Sequence, residues 1–235
     1  MTNIVSHRVD LIAHTRLNAV AYEIDHGEYG LTTPLAEYMP PNPGVTDAET
    51  LVEFAGRACY QSFHRPNPAT ADTGDYLNRT LFDQVHWSIA EHATATVYIT
   101  GVSRAFTHEL IRHRHLSYSQ LSQRFVNEGN ANIVIPPALR GDEPTVNAAA
   151  TFAIEAYKDT ANGMIENGVP RKKAREAARA ILPNAIETRI VVTGNLRAWN
   201  EVIARRTAPD ADAEMIEVMG MVRDALKPIA PNIIK

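Results

Sequence analysis

The sequence predicts an α+β fold in a single domain over residues 1–235, with a mixed sheet packed against several helices. Three observations predict it. Segments with apolar residues at helical spacing recur along the chain, and short β-rich runs lie between them. The two kinds of segment do not alternate regularly, as a doubly wound sheet would require. Finally, 45% hydrophobic content in 235 residues can bury one sizeable core, and no shift of composition divides the chain. There is no internal repeat and no low-complexity tract.

The elements follow in order. Val9 to Ala13 is β-rich and reads as a first strand, and Tyr38-Met39-Pro40-Pro41-Asn42-Pro43-Gly44 can only be a loop. Thr46 or Asp47 then caps a helix that carries Leu51, Phe54, Ala55 and Ala58 and ends near Cys59-Tyr60. A helix from Asp75 to Gln84 is followed by a strand from Ala93 to Gly101, rich in Thr, Val, Tyr and Ile. Ser103 is placed to cap the next helix, which runs through Phe106, Leu110 and Ile111 into a basic cluster. A polar stretch reaches Asn132, and the short strand Ile133-Val134-Ile135 stops at Pro136-Pro137. A helix from Thr145 to Asn167 comes next. Pro170 suits the first turn of another, which carries Lys172, Arg175 and Arg179 before Pro183 breaks it. Thr188 to Thr193 reads as a strand, Leu196 to Arg206 as a helix, and Ala211 to Leu226 as the last helix.

The formal net charge of −4 and the pI of about 6.1 argue against a general nucleic-acid or membrane binder, which needs a basic excess to neutralise phosphates. Any anion site must be a local cluster. The single cysteine, Cys59, has no internal partner and fits a reducing compartment. The N-terminal residues lack an apolar run behind a basic start, and no stretch approaches the roughly 20 apolar residues that span a bilayer. A soluble, cytoplasmic protein is expected.

Four constellations could carry chemistry. In Glu109-Leu110-Ile111-Arg112-His113-Arg114-His115, a helix turning about 100° per residue puts Glu109, Arg112 and His113 on one face and Arg114 off it. Ser117-Tyr118-Ser119-Gln120-Leu121-Ser122-Gln123-Arg124 then offers hydroxyls, amides and a guanidinium without a helical stripe. Such a loop suits an anion, since these groups give directional bonds and Arg124 can grip phosphate bidentately. A solvated basic helix end complementing the macrodipole is the bland alternative. His113 and His115 also form an H-x-H pair, but flanking guanidinium groups disfavour a divalent cation, and no metal site is expected. His86-Trp87-Ser88-Ile89-Ala90-Glu91-His92 gathers polar groups around a tryptophan just before a strand. It can equally be a core tryptophan with capping neighbours. Lys172, Arg175 and Arg179 share a helix side that could serve a phosphate or simply be solvated, with Glu176 able to pair with a neighbour. Last, the apolar stripe Trp199, Val202, Ile203 continues onto Arg206, which must either bend out to solvent or sit in a polar pocket. The 12 glycines never form a Rossmann or P-loop fingerprint, so any dinucleotide would be held by other means.

Arg112-His113-Arg114, then seven residues, then Ser122 resembles the R-H-R-x7-S signature of the flavin-dependent thymidylate synthases, the ThyX family. His86-x-Ser88-x-x-Glu91-His92, Arg179 ahead of Leu182-Pro183, Thr188-Arg189, Asn195-x-Arg197 and Arg206 follow in that family's order, so the resemblance is strongest over 56–208. Two positions depart from it. Glu201 stands where some relatives have histidine or asparagine near the flavin, and Phe125 follows Arg124 where close relatives can have tyrosine. The resemblance implies a ThyX-like homotetramer with FAD and the active sites at subunit interfaces. It implies FAD contacts from Ser88, Arg112, His113, Arg114, Gln120, Asn195, Arg197 and Glu201. It implies dUMP contacts from Glu109, Leu110, Ile111, Arg112, Gln120, Leu121, Ser122, Gln123, Arg124, Arg179 and Arg206.

The implied reaction is reductive methylation of dUMP to dTMP, with 5,10-methylenetetrahydrofolate as carbon donor, FADH2 as hydride donor and NADPH as the reductant that reloads the flavin. C5 of uracil is a poor nucleophile, and charge builds on the ring carbonyls and N3 as it attacks. A fixed Arg206 at that edge would stabilise the anionic ring and is the expected catalytic residue. Ser122 has no evident base to activate it and is expected to bind phosphate or substrate. Cys59 would matter only if the reaction ran through covalent addition at C6. A non-catalytic nucleotide- or RNA-binding module and a metal-dependent hydrolase built on His113 and His115 are the rival readings. Folate and dUMP are the expected partners, with no nucleic acid and no membrane.

Overall fold

The computed structural model describes residues 2–24, 28–32, 34–39 and 42–235. The chain forms two compact units. The first comprises Met1–Asp10, Val97–Val192 and Arg205–Met221, and the second Leu11–Thr96, Thr193–Ala204 and Val222–Lys235.

The strands are β1 (Arg8–His14), β2 (Val20–Ile24), β3 (Glu28–Thr32), β4 (Thr94–Ser103), β5 (Ser117–Gln120) and β6 (Glu187–Asn195). Four form one sheet in the order β1-β4-β6-β5, and β2 pairs antiparallel with β3, Tyr22 opposite Gly30. Hydrogen bonds at both ends of the pair, Leu196 N to Ala93 O and Arg104 N to Ile186 O, run β4 antiparallel to β6. This corrects the mixed sheet expected from the sequence. Along β4, Ala95, Val97, Ile99 and Gly101 are buried while Thr96, Tyr98 and Thr100 are half-buried, the period-2 signature of one covered face.

In the first unit the helices are α3 (Arg104–Leu110), α4 (Glu143–Glu166) and α5 (Arg171–Ala178), with most of α7 (Ala213–Leu226). Ile133, Ile135, Ala150, Ile154 and Ile186 form one buried cluster and Tyr157, Ala161 and Ala178 another, so α4 packs on α5 through small residues. Each fully buried isoleucine of the first cluster contributes about 1.5–3 kcal/mol of transfer free energy. Three chain segments meet in this unit at His7. Its Nδ1 lies 3.0 Å from Glu217, its Nε2 3.4 Å from Glu214, and Arg140 completes the group at 2.7 Å from Glu217. Gly101 adopts φ +65°, and a Cβ there would lie 1.9 Å from the Ser6 carbonyl oxygen, so only glycine fits.

The second unit holds α1 (Asp47–Tyr60), α2 (Thr73–Leu77) and most of α6 (Leu196–Arg206). The Thr46 hydroxyl accepts from Glu49 N, capping α1 as expected, and donates to Ile229 O at 2.7 Å. Trp199, fully buried, donates its indole N–H to Ala95 O at 3.1 Å and anchors α6. Tyr38, Phe54 and Phe63 stack in a tilted aromatic group.

Several expected elements shift. Pro40 and Pro41 of the proline-rich loop lie outside the described residues. The helix expected from Asp75 to Gln84 starts at Thr73, because Asp72 caps it, and widens to a π-helical turn over Asn78–Asp83. Ile133-Val134-Ile135 is not a strand but a pair of isolated bridges, Ile133 to Ile4 and to Ile186. The β2–β3 hairpin and β5 were not expected. Among the described residues no helix is long and apolar enough to cross a membrane.

Candidate functional site

The helix bearing Glu109 stops at Leu110, so Arg112-His113-Arg114 lies in a tight turn and not on a helical face. The cause is tertiary. The Tyr118 hydroxyl shares its one proton between Leu110 O and His113 O, each at 2.8 Å, and occupies the carbonyls that further helical turns would have used. Burial pushes the Tyr118 phenol up to about 12, so it stays a proton donor. The rotation expected to group Glu109, Arg112 and His113 is therefore replaced by a turn that leaves Arg112 and Arg114 exposed. Neither makes an ion pair among the described residues.

Arg206 ends the apolar stripe of α6 in a polar cradle of the first unit. Its Nε donates to His113 Nε2 at 2.8 Å, NH1 to Glu109 Oε2 at 3.0 Å, and NH2 to the Glu109 carbonyl at 3.2 Å. Of the two alternatives the sequence left open, the pocket holds. The side chain is only 17% exposed. Since a guanidinium cannot accept a hydrogen bond, His113 Nε2 must be the acceptor, and the imidazole is neutral with its proton on Nδ1. Burial, then the charges of Arg206 and Arg205, hold His113 below its ordinary value, which agrees with that tautomer. Glu109, His113 and Arg206 are thus the candidates that direct bonds bring together.

Gln120 sits in β5, its amide nitrogen donating to Thr107 Oγ1 at 2.9 Å and Thr188 Oγ1 at 3.2 Å. Leu121 N donates to Arg189 O at 2.9 Å, extending the pairing, and the Ser122 carbonyl then accepts from Phe125 N and Val126 N in a turn. Ser122 is half-buried and Gln123 buried, with the Gln123 amide nitrogen lacking an acceptor among the described residues. Arg124 Nε lies 2.8 Å from Glu176 Oε2. Arg179 is exposed and has no ion-pair partner among the described residues. Leu110 is fully buried, so only its backbone is open to a neighbour, while Ile111 is exposed.

The other candidates lie in the second unit. Asn195 Oδ1 accepts from Ala198 N at 2.8 Å, which makes it the cap of α6 and leaves its amide NH2 as a donor. Arg197 donates to Glu91 Oε1 at 2.6 Å and lies 3.5 Å from Glu201. The Glu91 bond holds it above the usual guanidinium value. Ser88 is exposed in the 3-10 turn Trp87–Glu91, where Trp87 packs edge-on against Phe82. Cys59 is exposed on α1. Among the described residues no three histidine, cysteine or acidic side chains gather as metal ligands.

Sequence reasoning missed Tyr118, Thr107 and Thr188 as supports of the turn and of Gln120. It also missed Arg104, whose buried NH1 lacks a hydrogen-bond partner among the described residues. Burial, with Arg179 nearby, holds Arg104 below its ordinary value, and Glu128 opposes them. Nothing local marks these residues, except that Tyr118 is the lone aromatic in an otherwise small and polar stretch.

A family model for thymidylate synthase complementing proteins matches residues 37–232. The flavin-dependent thymidylate synthase of Mycobacteroides abscessus is 50% identical over 201 residues, 80% of each chain. That of Mycobacterium tuberculosis is 48% identical over 212 residues, 83% of each chain. Among solved structures, thymidylate synthase X of Helicobacter pylori with FAD and dUMP matches at a TM-score of 0.64 and 22% identity, over 80% of this chain and 92% of that one. A UMP/dUMP methylase of Streptomyces cacaoi, PolB, bound with 5-Br dUMP, matches at 0.71 and 20% identity, over 99% and 95%. At those identities the structures show the likeness of fold. The sequence match across most of the chain, together with the R-H-R turn it contains, shows that the chain belongs to the flavin-dependent thymidylate synthase family.

Proposed function

We propose that the protein is an FAD-dependent thymidylate synthase that reductively methylates dUMP to dTMP with 5,10-methylenetetrahydrofolate as carbon donor. The observation that carries the reading is the Arg206 cradle. A guanidinium has five N–H groups, and three are committed to Glu109 and His113, so two remain to donate to a ligand at a fixed position. Donors fixed before reaction stabilise charge as it develops on the uracil carbonyls, an effect of about 3 kcal/mol per well-placed donor. Neutral His113 adds no positive charge of its own and keeps the guanidinium plane oriented.

The donor set fits a flavin dinucleotide and a nucleotide phosphate. Arg112 and Arg114 present exposed guanidinium groups, Asn195 keeps a free amide NH2, and Arg179 and the Ser122 hydroxyl suit a phosphate. Gln123 offers a buried amide nitrogen without an acceptor, which costs about 1–3 kcal/mol unless a ligand or a second chain supplies one. On this reading Ser88, Arg112, His113, Arg114, Gln120, Asn195, Arg197 and Glu201 hold FAD. Glu109, Arg112, Gln120 to Arg124, Arg179 and Arg206 hold dUMP, with Leu110 and Ile111 contributing backbone. When bound, reduced FAD supplies the hydride that completes the methyl group, its electrons coming from NADPH.

The same reading makes the protein a single-domain homotetramer with active sites at subunit interfaces, working in the cytoplasm. The family match runs through segments of both compact units, which supports one domain. Ser88, Ile111, Arg112, Arg114, Arg179 and Glu201 are exposed in the lone chain, which supports completion by neighbouring subunits. The test is direct. Purified protein should be yellow or take up FAD, form dTMP from dUMP, methylenetetrahydrofolate and NADPH, and elute at four times the chain mass. A protein that cannot be loaded with FAD refutes the reading.

A further inference from the structure

The turn after Ser122 is gripped by one helix. Lys172 Nζ lies 4.6 Å over the Phe125 ring, Arg175 NH1 donates to the Phe125 carbonyl at 2.5 Å, and Glu176 meets Arg124. All three grips come from α5, one turn apart or less. The contact to Arg124 is made along one edge of the guanidinium. Nε and Glu176 Oε2 are 2.8 Å apart and both closed to solvent. Their angle is poor for a hydrogen bond, so the pair is held by charge. NH1 and NH2 bond to no described residue and reach solvent, and the side chain is 41% exposed. Lys173, 3.3 Å from the other carboxylate oxygen, fixes Glu176 in turn. That bond, with Arg124 nearby, holds the Glu176 carboxyl below its usual range and ionised at neutral pH.

We infer that Glu176 is a positioning residue for the phosphate of the nucleotide: it holds Arg124 by its Nε edge so that NH1 and NH2 face an oxyanion as a bidentate fork. A free arginine side chain would lose rotamer entropy on gripping phosphate, and a carboxylate that fixes the guanidinium beforehand removes much of that cost. The basic side of α5 is then neither a solvated face nor a phosphate face along its length. Lys172 and Arg175 tie down Phe125 of the turn by its ring and its carbonyl, Glu176 aims the neighbouring arginine, and Arg179 alone remains for the ligand. The inference rests on the reading of Arg124 as a dUMP ligand.

The experiment uses FAD-loaded enzyme and separates reach from charge. Glu176→Ala should raise KM for dUMP about tenfold and leave kcat within about twofold, the mark of lost binding that is common to ground and transition states. Glu176→Gln keeps the reach but removes the charge that holds Arg124, and should weaken dUMP much as Glu176→Ala does. Glu176→Asp keeps the charge one methylene further off, and should recover part of the affinity. Binding of deoxyuridine, which lacks the phosphate, should be unchanged in all three. Arg124→Ala should weaken dUMP equally, and adding Glu176→Ala to it should cost nothing more, since the two act as a unit. Tighter dUMP binding in Glu176→Ala would show a competing anion and overturn the inference. So would an additive loss in the double variant, or weakened deoxyuridine binding. If Arg124→Ala leaves dUMP affinity intact, the assignment of Arg124 falls and the inference with it. If only the Glu176 variants are silent, the assignment survives and the inference alone fails.

Discussion

At the residue scale the centre of the problem is how a guanidinium is kept at the end of an apolar stripe. Glu109 and His113 take three of the Arg206 donors, and lysine, a point charge on a flexible stem, cannot reproduce that fork. Arg206→Lys is therefore expected to lower dTMP formation by about 10²- to 10³-fold. Anaerobic reduction of the flavin by NADPH should stay near wild type. Equal loss in both half-reactions, followed by stopped-flow absorbance, would place Arg206 with the flavin and not with uracil. His113 makes a second prediction. Its folded value lies below the ordinary 6.5, so its contribution is fully present above 6.5 and is lost as pH falls through the folded value. Protonation there removes the Nε2 acceptor and sets a second cation beside Arg206. NMR titration of the His113 ring should show a midpoint below 6.5, and a midpoint at or above it would mean the Arg206 bond is not kept in solution.

At the element scale the N-termini of helices were legible and the C-termini less so. Thr46 and Ser103 cap α1 and α3 through bonds to amides three residues on, a local relation that the sequence displays. The end of α3 depends on Tyr118, in a strand not yet formed when the helix is read from its own residues. The strand core of β4 and β6 was visible in its alternation. β5 was not, because Ser-Tyr-Ser-Gln carries no apolar face and is held by neighbours such as Thr188. Ser103 shows how much one cap can carry. It is buried, its hydroxyl accepts from Phe106 N at 3.0 Å and donates to Glu214 at 2.5 Å, and its own N–H reaches the same carboxylate at 2.8 Å. Ser103→Ala loses the cap and strips one partner from a buried carboxylate, so a cost of about 2–4 kcal/mol is expected from urea unfolding. A change under about 0.5 kcal/mol, the usual effect of a surface substitution, would show that Glu214 has found another donor.

At the scale of the whole molecule, each compact unit is assembled from three separate stretches of chain, and the ties between them are invisible to any local reading. In the second unit, Asn232 N donates to Glu49 at 2.7 Å across 183 positions. In the first, His7 meets Glu217 across 210 positions, and Arg140 closes the group from the third stretch. The family signature was legible because it is contiguous, whereas the packing that gives it shape was not. His7 turns this assembly into a pH dependence. Its side chain is 3% exposed, and burial alone would lower its value, but the Glu214 and Glu217 carboxylates outweigh burial and raise it above 6.5. A raised histidine stabilises the fold fully below 6.5 and loses that contribution as pH rises through the folded value. Asparagine keeps one hydrogen bond but neither the charge nor the second contact. His7→Asn should therefore be less stable than wild type by roughly 2–3 kcal/mol at about pH 6, below the ~3–5 kcal/mol of a fully buried pair because Glu217 is 36% exposed. The gap should narrow towards about pH 9 as wild-type His7 deprotonates. Paired urea titrations across that range give the difference directly. A gap that stays constant or widens with pH would mean that the folded protein holds His7 neutral and that packing, not charge, joins the three stretches.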